Sequence, residues 1–166
     1  MLQLVLMRHA KSDWSDESLD DHDRTLNPRG RRDAPAMGNW LSGEGLVPDL
    51  VLASTAKRAS ETAEILQSQW SGCVPIRYIK RLYHSTPETI MEIATREAGE
   101  AQRVLVVAHN PGMEVLAGHF SGACGQFPTA AIMALEFSVD SWSEVSLGSR
   151  PVVTAQAIPR MLRGDD

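Results

Sequence analysis

The chain has 166 residues, enough for one domain with a real hydrophobic core. Its 43% hydrophobic and 22% charged content is that of a soluble globular protein, and a formal net charge of -5 speaks against nucleic acid as a partner. No apolar run approaches a membrane span, the N-terminus lacks the basic segment of a signal peptide, and Cys73 and Cys124 form neither a disulfide framework nor a CxxC metal spacing, so a cytoplasmic location is expected.

Residues 2–7 are a nearly continuous apolar run, as in a strand covered on both faces. The acidic segment 13–27 reads as a loop. A helix is expected from Pro28 to about Leu41, capped by Asn27, kinked at Pro35 and ended by Gly43 and Gly45. "DLVLAS" (49–54) is a second buried strand, followed by a helix over 56–70 in which Ala59, Thr62, Ala63, Leu66 and Trp70 share one face. "VPIRYI" is a shorter third strand, and Pro87 opens a helix over 87–98. "RVLVVAH" (103–109) is the clearest buried strand; after it, Asn110 should cap a helix with Pro111 at its start. "AIMALEF" and "VVTAQAI" read as later strands that include an antiparallel edge, and "RMLRGDD" (160–166) as a frayed tail. Strands alternating with helices imply a single domain over 1–166: an α/β fold, a three-layer α/β/α sandwich with a mainly parallel central sheet.

In such open sheets, ligands bind beyond the carboxyl ends of the strands. Three segments put unusual side chains there: Arg8 and His9 after the first strand, Arg58 in the first helical turn after the second, and His109 at the end of "VLVVAH". Arginine presents a planar fork to phosphate oxygens, and helix N-termini near Arg58 and Asn110 add N–H groups and positive dipole ends. A neutral histidine can attack phosphorus to form a protonated, electrophilic phosphohistidine, from which the imidazole later leaves. The set describes an anion site that needs neither metal nor cofactor, and that a phosphate or sulfate ion would fit.

These segments resemble the histidine phosphatase superfamily. "LMRHAKSDW" looks like its opening signature, "RTLNPRG" like the stretch that opens its first helix, "STAKRASETA" like its second motif and "VLVVAHNPG" like its third, in family order over residues 2–112. Ala10, where most members have glycine, suits the short branch typified by the SixA phosphohistidine phosphatase. The resemblance implies a phosphoglycerate mutase-like fold and a phosphatase in which His9 becomes phosphorylated. Arg8, Arg58 and His109 would bind the phosphoryl oxygens, with Ser12, Ser15, Arg24 and the backbone of Asn110 as further pocket contacts.

Larger members place a glutamate after the third strand as general acid. Here "IKRLYHSTPE" has Lys80 or a neighbour at that point, and Glu88 and the acidic loop residues Asp21 and Asp23 are the carboxylates that could substitute. An alcohol leaving group needs that proton; a phosphohistidine whose ring is already protonated does not, because its imidazole leaves neutral. A phosphorylated protein carrying phosphohistidine is therefore the expected substrate. The alternatives are a small phosphoester or sugar phosphate handled by the same chemistry, and a non-catalytic phosphate-binding module. Outside the site, His22, His84 and His119 read as solvated or structural, the four tryptophans (Trp14, Trp40, Trp70, Trp142) as packing, and "SDESLDDHD" as a solvated loop, not a cation site.

Overall fold

The computed structural model describes residues 1–164. Six strands form one sheet: β1 (Leu2–Arg8), β2 (Leu50–Ser54), β3 (Ile76–Ile79), β4 (Arg103–Ala108), β5 (Ile132–Phe137) and β6 (Val152–Ala157). Their spatial order is β3-β2-β4-β1-β5-β6. The first four strands are parallel; β5 runs antiparallel to both β1 and β6.

The side-chain alternation of a strand explains why the central strands are apolar throughout. Val5, Met7, Leu105 and Val107 face one way and meet Met37 and Leu41 of helix α1 (Pro28–Gly43) and Ala63 and Leu66 of α2 (Lys57–Ser68). Leu4, Leu6, Val104 and Val106 face the other way and meet Ile90 and Met91 of α3 (Pro87–Glu97) and Met113 and Leu116 of α4 (Gly112–Ser121). The result is the expected three-layer α/β/α sandwich.

The helix starts follow capping chemistry at two places. Asn27 accepts from the Gly30 N–H at 2.8 Å, and Thr86 accepts from the Thr89 N–H at 3.1 Å. Helix α1 continues to Gly43 with Pro35 inside it. Asn110 does not cap α4. Its amide donates instead to the Phe127 carbonyl at 2.8 Å, and the helix begins after Pro111.

The expected frayed tail also differs. Residues Pro159–Arg163 form a short helix, α5, and Arg163 donates to Asp33 Oδ1 at 2.7 Å. Asp33 is buried on α1, and a buried carboxylate is costly without a cationic or hydrogen-bonding partner. Residues 165 and 166 of that expected tail lie outside the described residues. Among the described residues, no helix is long and apolar enough to cross a membrane.

Two glycines set close backbone approaches around the strand ends. A Cβ on Gly30 would lie 2.2 Å from the Lys11 carbonyl oxygen, and one on Gly112 would lie 2.0 Å from that of Ser85. Backbone cannot swing aside as a flexible side chain can. Gly112→Ala is therefore expected to destabilise the fold by about 1–3 kcal/mol, the usual cost of overpacking, read as a lowered denaturant midpoint. An unchanged midpoint would show that the Ser85 segment yields freely.

Candidate active site

Strand register brings the two histidines together. Arg8 at the end of β1 pairs with Ala108 at the end of β4, so His9 and His109 leave the sheet side by side. The His9 N–H donates to the Ala108 carbonyl at 3.1 Å, and the two rings lie 5.0 Å apart, centroid to centroid. On the other flank of β4, strand β2 ends at Ser54, whose Oγ is 2.8 Å from His109 Nε2. Arg58 follows in the first turn of α2. His9, Arg58 and His109 border one cleft of about 280 Å³, which Arg8, Ser12, Arg24 and Asn110 also line. His9, Arg58 and His109 are buried, with His9 only 5% exposed, and form its floor.

Hydrogen bonds orient the His9 ring. Its Nδ1 lies 2.7 Å from the Ala10 carbonyl oxygen, which can only accept, so Nδ1 carries the proton. The Nε2 lone pair is left toward Arg58, whose Nε–H donates to it at 3.4 Å. Burial pushes the His9 pKa down to about 3; the Ala10 carbonyl opposes this, and the Arg58, Arg8 and Arg24 guanidiniums add to it. Burial likewise pushes His109 down to about 2, helped by His9, Arg58 and His84 and opposed by Asp21. Both rings are neutral at neutral pH. Thr62, on the buried face of α2, ties the parts together: its Oγ1 accepts from the Ala10 N–H at 3.1 Å and donates to the Arg58 carbonyl at 2.7 Å.

Asp21 occupies a place that its sequence context does not reveal. Its Oδ2 accepts from Arg58 at 3.0 Å and from the Tyr83 hydroxyl at 2.5 Å, and its Oδ1 accepts from Arg24 Nε at 3.1 Å and Nη2 at 2.9 Å. Its backbone carbonyl takes a further Arg58 N–H at 2.6 Å. Partial burial pushes this carboxyl up, but the bonds from Tyr83, Arg58 and Arg24 together outweigh it and hold the group well below the ordinary carboxylate range. With these donors in place Asp21 is held ionised, which speaks against the general-acid role expected for it. Glu88 does not fit that role either. It is exposed and does not line the cleft; α3 packs through Ile90, two residues or about 200° further round, so Glu88 faces outward.

The weaker expectations divide. The Ser12 hydroxyl accepts from Arg24 Nη1 at 2.9 Å, so both line the cleft, as expected. Ser15 lies on the exposed loop, with its N–H bound to Asp13 Oδ1 at 2.7 Å, outside the cleft lining. Trp14 is not packing: it is 67% exposed, with the Arg24 guanidinium 3.3 Å from its ring centroid. His84 is not merely solvated, since it lines the cleft and its ring lies 3.9 Å from that of Tyr83, centroid to centroid. It holds φ at 54°, in the left-handed region that few non-glycine residues adopt. An aromatic pair just after the third strand was the signal in "LYHSTP" that could have singled out Tyr83 and His84. Among the described residues, no group of three or more His, Cys, Asp or Glu side chains is placed to hold a metal ion.

Two neutral histidines on a floor ringed by arginines can hold an anion such as a phosphoryl group. The profile of the histidine phosphatase superfamily (branch 1) matches residues 4–84. An uncharacterized protein of Mycobacterium tuberculosis is 35% identical over 158 residues, covering 89% of this chain and 96% of that protein. A protein that carries the name SixA, from Agrobacterium tumefaciens, superposes with a TM-score of 0.78 at 26% identity, covering 95% of this chain and 99% of that one. The protein histidine phosphatase SixA complexed with tungstate superposes with a TM-score of 0.80 at 22% identity, covering 97% and 99%. The chain belongs to the histidine phosphatase superfamily, and its fold is the phosphoglycerate mutase-like α/β sandwich of that group.

Proposed function

We propose that the chain is a metal-independent phosphohydrolase that removes phosphate from protein phosphohistidine through a phosphohistidine intermediate on His9. The observation that carries the reading is the state of His9: neutral, its Nδ1–H held by Ala10, its Nε2 lone pair turned to a buried arginine. In the first step, Nε2 bonds to phosphorus and the substrate's P–N pair returns to its ring. Arg8, Arg58 and His109 hold the phosphoryl oxygens, and the incoming negative charge favours a protonated, donating His109. In the second step, water attacks the phosphorus on His9 and releases phosphate. Ser12 and Arg24 support the same pocket, and Asn110 borders it.

Two features support phosphohistidine over a phosphoester. No carboxylate expected to act as acid is both placed and protonated for it. The cleft opens to solvent past exposed Trp14. The tungstate held by the protein histidine phosphatase SixA, a tetrahedral oxyanion, suits a phosphoryl group from either substrate. Both cysteines are free and exposed, which suits the cytoplasmic location that belongs to this reading.

The test is hydrolysis, in the presence of EDTA, of a phosphohistidine peptide, an aryl phosphate and a sugar phosphate. The first two are expected to react and the sugar phosphate to react poorly, with no loss to the chelator. A sugar phosphate turned over as fast as the peptide would replace the substrate assignment with a small phosphoester. Phosphate binding without turnover would make the protein a binding module, and activity lost to EDTA and restored by a divalent ion would end the metal-independent mechanism.

A further inference from the structure

A carboxylate inside a phosphate site is anomalous, since it repels the ligand that the arginines attract. Asp21 is such a group, and its side chain is 40% exposed, above the buried floor. An attack from His9 expels the leaving group on the side opposite to it, toward the cleft mouth. The wall there runs in one continuous series of contacts. The Trp14 ring lies over Arg24, Arg24 holds Asp21, Asp21 holds Tyr83, and Tyr83 stacks on His84.

We propose that Asp21, between the flat rings of Trp14 and His84, forms a leaving-group subsite that accepts a hydrogen bond from the free ring N–H of phosphohistidine. The subsite rests on the phosphohistidine reading above and explains how the enzyme would select it. The protein's own His84 brings an imidazole nitrogen to 3.8 Å from Asp21 Oδ2, beyond hydrogen-bond length, so a ring can approach this carboxylate from the cleft side. The carboxylate oxygens are occupied, but the exchange is built in. Phosphoryl oxygens compete for the Arg58 fork, and as Arg58 turns to them Oδ2 loses that donor and can take the substrate's.

The step balances without an enzyme acid. The His9 Nε2 pair forms the new N–P bond, the old P–N pair goes to the ring nitrogen it joined, and the proton on the other ring nitrogen stays where Asp21 holds it. The ring leaves as neutral imidazole. A carboxylate beside that nitrogen favours its protonated form, so the substrate stays reactive to higher pH. The charged and titratable groups that face Asp21 are Arg58 on α2, Arg24 just after the short 3-10 turn Asp21–Asp23, and Tyr83 and His84 after β3; His109 lies beyond them, its ring 6.2 Å from that of His84, centroid to centroid.

Asp21→Asn is the test, measured as kcat/KM against pH on a phosphohistidine peptide and on 4-nitrophenyl phosphate, whose leaving ring has no N–H to offer. For the peptide, kcat/KM is expected to fall about tenfold or more, as for loss of a charge-assisted hydrogen bond, and its alkaline limb to move to lower pH. For the aryl phosphate, kcat/KM is expected to change by less than for the peptide, because its leaving ring offers no N–H and only the setting of Arg58 and Arg24 is altered. A denaturant midpoint near that of the wild type shows that the variant folds. An equal fall on both substrates would make Asp21 a positioning residue for the arginines and overturn the subsite, as would no change on either. A wild type that cleaves the aryl phosphate and not the peptide would overturn the substrate reading and the subsite with it, before any variant is made.

Discussion

His9→Ala is expected to abolish turnover, with kcat lowered about 10⁵–10⁶-fold, the scale at which covalent enzymes lose activity without their nucleophile. The arginines are never nucleophilic at working pH, and His109 has its Nε2 engaged with Ser54, which leaves only its Nδ1. The fold should survive, because the loop stays tied through the Ala10–Thr62 bond and the bond of the residue 9 N–H to the Ala108 carbonyl. A second readout separates this from misfolding. In the folded state the His9 pKa is depressed from 6.5 to about 3, so between those values the unfolded chain binds more protons and stability falls as pH drops through that window. The alanine variant lacks this group, so its stability should decline less steeply from pH 6 to 4, measured by denaturant unfolding. Turnover retained in His9→Ala would overturn the mechanism at its first step.

The sheet and its helices were legible because their signals are local. A strand buried on both faces is apolar along its whole length, as "LVLM" and "VLVVA" are, and Asn27 and Thr86 cap by bonds that reach three residues. Arg8, His9, Arg58 and His109 were legible for a related reason. Each stands at or within a few residues of the carboxyl end of a strand, and a parallel sheet gathers those ends into one crevice. What stayed hidden depends on contacts far apart in sequence. Asp21 reads as a possible acid on a loop, and its hold on the arginines shows only once Arg58, 37 residues on, and Tyr83, 62 residues on, close over it. Trp14 reads as core until Arg24 provides a cationic face that leaves the ring in solvent. Asn110 had the right residue type for a cap but met the Phe127 carbonyl, 17 residues away. Helix α5 depends on the reach of Arg163 to Asp33 across 130 residues, which no local pattern announces.

Arg58→Lys is the second variant with a large expected effect, and it asks whether charge alone suffices. The guanidinium does three things from one rigid plane: its Nε donates toward His9 Nε2, Nη1 donates to the Asp21 carbonyl and Nη2 to the Asp21 carboxylate. Lysine keeps the charge but has no fork, so it cannot hold two phosphoryl oxygens while aligning the nucleophile. It also leaves Asp21 with fewer donors, and a less compensated carboxylate repels the incoming phosphoryl group. Loss of one preorganised donor to a developing oxyanion costs about 10²–10³ in rate, and arginines at transferring phosphoryl groups contribute about 10³–10⁵. A fall in kcat of about 10³-fold on 4-nitrophenyl phosphate is therefore expected for Arg58→Lys, with Arg58→Ala lower still. The loss should appear in kcat as well as in kcat/KM, because the interaction tightens as charge develops on the phosphoryl oxygens. A loss confined to KM would make Arg58 a binding group alone, and an Arg58→Lys enzyme within about threefold of wild type would show that a point charge suffices and that the fork between His9 and Asp21 plays no part in turnover.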